Sequence, residues 1–301
     1  VLVTGGAGFV GGHLLRLLQA QGDELTVLDN LSVGRRENLP AGVALREADV
    51  CDTEAVEEAM QGQDTCIHLA ARVAIRSSFD FVVEDTKVNV LGTACVMRAV
   101  ARTPSVRSVI AASSMAVYAD APDPTPIAES HPTEPLSPYG VSKLALERLV
   151  HGMCRNTGRR SVVLRLFNTY GPGQALSPYV GAATIFADAL RSARAPTIFG
   201  DGEQCRDFVH VQDVARAFQL AAASHVSGMT LNIGTGQATS VNRLFELIRS
   251  TLGSDLRAVH APAAAGELRY SVASIDAARQ SLGFAPTVPL HLGLAQTFAG
   301  P

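Results

Sequence analysis

Through the first half of the chain, short unbroken apolar runs alternate with longer stretches in which apolar positions recur every three or four residues. The runs at residues 1–4, 25–28, 65–69, 106–111 and 161–166 read as strands. The stretches at 9–21, 53–60, 85–102 and 138–156 read as helices. Continuous apolar strands separated by helices predict a parallel sheet covered on both faces. After residue 170 the texture changes. Loops rich in Gly, Pro and Ser at 171–178, 200–204 and 261–266 separate shorter helical patterns at 211–223 and 240–252. The expected division is a main α/β domain over residues 1–170, a return to it near 208–223, and a smaller cap made mainly of 171–301.

Composition narrows the classes. Of 301 residues, 47% are hydrophobic and 18% charged, the balance of a globular protein. A formal net charge of −3 offers no basic footprint, so nucleic acid is not an expected partner. No apolar run approaches the ~18 residues of a membrane span, and no secretory leader pattern is visible. Five cysteines, an odd number without a Cys-x-x-Cys pair, argue against a disulfide framework and for a reducing, cytoplasmic setting. The eight histidines form no His-Glu-x-x-His or Cys/His cluster, so no metal site is expected. Only Lys87 and Lys143 are lysines, which singles out both.

The first strand runs into Thr4-Gly5-Gly6-Ala7-Gly8-Phe9-Val10-Gly11 and then a helix. Glycines at 5, 8 and 11 permit a tight turn, close approach of backbone to a pyrophosphate, and close helix packing. Free N–H groups at the helix start then face the phosphates. Gly5, Gly8, Phe9 and Val10 are the candidate contacts of a dinucleotide. The second strand ends in Asp29-Asn30, an acid about 20 residues on that suits the adenosine ribose hydroxyls and repels a 2′-phosphate. NAD is therefore expected over NADP, with Arg35 and Arg36 read as solvated loop charges. Asp49 and Val50 end the third strand beside the expected adenine site, and Leu69, Ala70 and Ala71 end the fourth along the cofactor.

Tyr139 and Lys143 stand four apart behind Ser137-Pro138, a helix-start pair, and so share one helix face. A phenol titrating near ~10 is a poor base at neutral pH. A neighbouring ammonium is expected to lower that value and fit Tyr139 to remove a hydroxyl proton. Ser113-Ser114 ends the fifth strand, where a hydroxyl can steady a reacting oxygen. His68 is expected to be a core residue.

These segments, with Ser113 to Tyr118, Tyr139-Gly140-Val141-Ser142-Lys143, Leu164 to Pro172, Arg206 to Val211 and Asn232-Ile233-Gly234-Thr235-Gly236, resemble extended short-chain dehydrogenases acting on sugar nucleotides, the NAD-dependent epimerase/dehydratase family. The resemblance covers nearly the whole chain. It implies a Rossmann-type doubly wound parallel sheet with a C-terminal substrate-binding cap. It assigns Ser114, Tyr139 and Lys143 as catalytic, with Lys143 also on the nicotinamide ribose. It places Asn168, Arg206 and Arg269 on the substrate diphosphate and makes Asn89 mainly structural. It also implies a homodimer through the helices around 85–102 and 144–156, with Val90, Val96, Leu144 and Leu149 as interface positions.

The residues after the catalytic hydroxyl bear on the reaction. Dehydrating relatives carry an Asp-Glu pair there, and decarboxylases a glutamate two positions on; this chain has Met115 and Ala116. Without a second acid the expected reaction is 4-epimerisation of a UDP- or TDP-hexose, with UDP-glucuronate second. A decarboxylase or 4,6-dehydratase with its acid from elsewhere is the alternative. A non-catalytic NAD-binding protein is the third reading. Epimerisation requires the sugar to turn between oxidation and reduction, and Val73, Ala74, Ile75, Met115 and Ala116 are expected to give it weakly directional surroundings.

Overall fold

The computed structural model describes residues 1–73, 75, 77–121, 124–174, 181–262 and 269–299. Six strands of the main sheet come from residues 1–170: β1 (Leu2–Thr4), β2 (Thr26–Asp29), β3 (Ala44–Glu47), β4 (Thr65–His68), β5 (Ser108–Ser114) and β6 (Arg160–Leu166). The seventh comes from much later, Met229–Ile233, and pairs with β6. The order is Met229–Ile233, β6, β5, β4, β1, β2, β3, with every pairing parallel. This is the doubly wound arrangement, and the order reverses between β1 and β4. Residues of β1 and β5 are buried throughout, because helices cover both faces.

Two apolar cores flank the sheet. On one face α1 (Phe9–Ala20) packs Leu14, Leu15 and Leu18 beside Phe218 of the Val211–Ala223 helix. On the other, α2 (Thr53–Met60), α4 (Gly92–Arg102) and α5 (Pro138–Asn156) bury Val56, Val96, Val100, Leu146 and Val150. The helix Asp276–Leu282 also lies on the Met229–Ile233 strand, so the later chain contributes to the main sheet beyond residue 223. A separate cluster of Phe186, Leu190, Ile198, Phe245, Ile248 and Phe298 joins the remaining C-terminal elements.

Two local readings change. The expected helix at 85–102 is α3 (Val82–Thr86), a π-helical turn at Lys87–Leu91, and α4. Gly92 opens α4 where a Cβ would lie 2.6 Å from Val50, so the helix start meets the segment after β3 at glycine distance. The fifth strand starts at Ser108 rather than 106 and ends at Ser113-Ser114, which pair with Arg165 and Leu166 of β6 despite their weak strand preference. Among the described residues no helix is long and apolar enough to cross a membrane.

Candidate active site

The crevice at the switch between β1 and β4 is built from two loops in close contact. Gly5 has φ +69°, and a Cβ there would lie 2.6 Å from the Ala70 nitrogen. A Cβ on Gly11 would lie 2.5 Å from the Gly6 carbonyl oxygen. Gly8 is the N-cap of α1 and brings no side-chain acceptor, so the first-turn N–H groups keep their affinity for an anion. Phe9 stacks edge-on against His13, whose Nε2 bonds the Pro172 carbonyl at 2.9 Å and draws the 171–173 loop over the helix start. Val10 packs against the α1-side core.

Asp29 is buried and ties the glycine turn to β2. It accepts the Ala7 N–H at 3.0 Å and the Leu31 N–H at 2.9 Å. Asn30 donates to Asp49 at 3.1 Å, and Asp49 also accepts the Cys51 N–H at 2.8 Å. That backbone bond, ahead of the opposing burial, holds the Asp49 carboxyl below its usual range. The Val50 side chain is buried in the core. Leu69, Ala70 and Ala71 are half-buried along the crevice. Arg36 pairs with Glu47 of β3. A turn that side chains would fill, a free helix start and a fixed carboxylate together fit a dinucleotide.

Ser137 caps α5 by accepting the Gly140 N–H at 3.1 Å, and Pro138 occupies its first turn. A Cβ at Gly140 would overlap the Ala116 carbonyl oxygen, so glycine lets the helix meet the turn after Ser114. Tyr139 and Lys143 are both buried against the end of β5. Lys143 Nζ donates to the Ala112 carbonyl at 3.0 Å and lies 6.0 Å from the Tyr139 ring centroid. Ser114 Oγ accepts the Ala116 N–H at 3.2 Å, and the Ser114 side chain acts on the Tyr139 hydroxyl, lowering its pKa.

The electrostatics reverse one expectation. Burial pushes the Tyr139 phenol up to about 12; the Ser114 side chain opposes it and Asp85 adds to it. Burial pushes Lys143 down to about 8, with Glu147 opposing. Desolvation is the largest effect on the phenol, so it stands above its ordinary value rather than below it. His68 is a core residue: its ring nitrogens bond Thr4 at 2.7 Å and Thr93 at 3.0 Å, and burial lowers it to about 3. Asn89 bonds both the N–H and the carbonyl of Arg72, and also Ser142 at 2.9 Å, tying the helix to the loop after β4.

The remaining residues come from the later chain. Asn168 opens a short strand paired with Phe208–His210. Its Oδ1 is buried without a hydrogen-bond partner among the described residues. Arg206 and Arg269 are brought together: Ser271 pairs with Arg206, and the Cys205 N–H bonds the Arg269 carbonyl at 2.9 Å. The Arg269 guanidinium is exposed and pairs with Asp201 at 2.7 Å. Met115 is buried, and its sulfur lies 3.5 Å from the Ser271 hydroxyl on the strand beside Arg206. Val73 and Ile75 are exposed. Ala74 and residues 175–179 lie outside the described residues.

Sequence reading passed over two ion pairs with buried carboxylates. Asp85 binds Arg72 at 3.0 Å beside Tyr139, and Glu147 binds Arg165 at 2.7 Å one turn beyond Lys143. The spacing of Glu147 from Lys143 was the available signal for the second; Asp85 left none.

Comparison with known proteins agrees with this geometry. Residues 1–234 match the sequence model of the NAD dependent epimerase/dehydratase family. A putative UDP-glucose 4-epimerase of Methanocaldococcus jannaschii is 36% identical over 295 residues, covering 98% of this chain and 95% of its own. The crystal structure of a UDP-glucose 4-epimerase from Thermotoga maritima with UDP-glucose superposes with a TM-score of 0.94 at 34% identity, over 99% of this chain and 96% of that one. The Thermus thermophilus UDP-glucose 4-epimerase in complex with NAD gives 0.91 at 34% identity, over 99% and 97%. From its glycine turn, its Tyr139–Lys143 helix and these matches, the chain belongs to the NAD dependent epimerase/dehydratase family.

Proposed function

We propose that this chain is an NAD-dependent 4-epimerase of a nucleoside-diphosphate hexose, with a UDP-hexose favoured over a TDP-hexose or UDP-glucuronate. The observation that carries it is the buried set of Ser114, Tyr139 and Lys143 at the end of β5, followed by the apolar Met115 and Ala116. The similarity to UDP-glucose 4-epimerases supports the choice of substrate. NAD, held by the glycine turn and Asp29, supplies the oxidant for C4 and later the reductant. Tyr139 takes the C4 hydroxyl proton and returns it, Ser114 steadies the oxygen, and Lys143 keeps positive charge beside the phenol. Asn168, Arg206 and Arg269 anchor the diphosphate while the 4-keto sugar turns, a role that suits charge-assisted hydrogen bonds. The Asn168 oxygen, buried without a partner among the described residues, supports a ligand there. A lyase needs a further acid; the carboxylate that acts on Tyr139, Asp85, is held through Oδ1 in an ion pair with Arg72.

Product analysis with UDP- and TDP-sugars, resolved by NMR, tests the activity. With substrate deuterated at C4, the label is expected to stay at C4 of the epimer. Epimer formed with complete loss of deuterium to water rules out transient oxidation.

The protein is further proposed to be a cytoplasmic homodimer. Its five cysteines are free, as a reducing compartment requires. Val141 of α5, 54% exposed, and Leu91, 50% exposed, present apolar surface, and Leu149 and Val90 are half-buried. Val96 leaves the expected interface set, because it is buried in the protein's own sheet core, and Leu144 packs partly inward as well. Light scattering is expected to give twice the chain mass, and Leu149→Arg to halve it. A wild-type monomer at every concentration counts against the dimer.

A further inference from the structure

Tyr139, Lys143 and Glu147 occupy successive turns on one face of α5, at i, i+4 and i+8. Each meets a different residue of the same three at the end of β5. Tyr139 feels the Ser114 side chain, Lys143 Nζ donates to the Ala112 carbonyl at 3.0 Å, and Glu147 Oε1 accepts the Ser113 hydroxyl at 2.5 Å. Glu147 is buried and filled: Arg165 Nε donates to Oε1 at 2.8 Å and Nη2 to Oε2 at 2.7 Å. Arg165 stands opposite Ser113 in the β5–β6 register. Its guanidinium lies 4.6 Å over the Tyr118 ring, whose hydroxyl donates to Asn232 at 2.6 Å. The fork is therefore fixed from behind.

We propose that Glu147 is a positioning residue of this active site, setting the end of β5 against α5 and supplying the negative charge that keeps Lys143 an ammonium ion. This rests on the functional reading above for its consequence in turnover, though not for its physical test. A buried ammonium with one carbonyl acceptor is costly unless an anion stands near. Around it, β4 offers His68, whose proton affinity Lys143 itself depresses, and β6 offers the cation Arg165. From α3, Asp85 acts on Tyr139 and is paired with Arg72; α5 offers Tyr139 and Glu147. Glu147 is the group that opposes the burial of Lys143.

The presence of only two lysines makes the test direct. Protein labelled with 13C at lysine Cε gives two side-chain resonances, and Lys87→Arg identifies that of Lys143. In wild type the Lys143 signal is expected to titrate near 8. In Glu147→Gln its midpoint is expected to fall by about one pH unit, a tenfold loss of proton affinity. Ser113→Ala removes a hydrogen bond and keeps the carboxylate, so its midpoint is expected to stay at the wild-type value. Should Glu147→Gln not fold, Arg165→Met reads the same coupling with opposite sign, and the midpoint is expected to rise. An unchanged Lys143 midpoint in folded Glu147→Gln, or in folded Arg165→Met where that variant takes its place, overturns the proposal. The titration needs no substrate, so its outcome is separate from whether the enzyme epimerises sugars. Where it does, the alkaline limb of kcat is expected to move to lower pH in Glu147→Gln with KM little changed. A limb that stays in place also overturns the proposal.

Discussion

Replacing Tyr139 with phenylalanine is expected to cut turnover by about 10²–10⁴-fold while leaving sugar-nucleotide affinity nearly intact. The ring is 4% exposed and keeps its packing without the hydroxyl. What disappears is the hydroxyl assigned to exchange a proton with the C4 oxygen beside Ser114. Because burial holds the phenol near 12, it keeps its proton until positive charge gathers around it. Lys143, on the same face of the helix, is the protein's contribution to that charge. Steady-state kinetics with calorimetric binding of the sugar nucleotide measures both halves. Turnover within a few-fold of wild type would remove Tyr139 from the base role.

Gly5→Ala is expected to abolish retention of the cofactor and to destabilise the fold by about 2–4 kcal/mol, adding left-handed strain to overpacking. The glycine sits at φ +69°, with the Ala70 nitrogen, the Ala70 Cα and the Leu69 carbonyl carbon all within 2.6–2.9 Å of where the new methyl would stand. These are backbone atoms at the junction of two central strands, so no side chain can rotate aside. The matching control is Gly22→Ala, also at positive φ (+88°) but with nothing within 4 Å. It is expected to cost only the strain, about 1 kcal/mol, and to keep the cofactor. Denatured wild-type protein and Gly22→Ala are expected to release NAD in near-stoichiometric amount, and Gly5→Ala almost none. Equal NAD content in all three, or NADP in the wild type, contradicts the cradle as described.

The residues that sequence made legible are those whose chemistry depends on neighbours a few positions away. The glycines at 5, 8 and 11 and the Tyr139–Lys143 pair are set by the periods of one turn and one helix. The strand–helix alternation gave the parallel sheet for the same reason, since buried strands and amphipathic helices repeat at short range. Everything that depends on which distant segments meet came from the tertiary structure. Val96 looks the same in sequence as an interface residue but is buried under the sheet. The last strand of the sheet, Met229–Ile233, is recruited from beyond the expected boundary by pairing with β6. The direction of the Tyr139 shift was beyond sequence too, because a helix pattern gives the spacing of a lysine and a tyrosine but not the depth at which both are buried. The ion pair of Glu147 with Arg165 joins α5 to β6 across 18 positions of chain. Periodicity places each on its own element, and only the packing of helix on sheet decides that they touch.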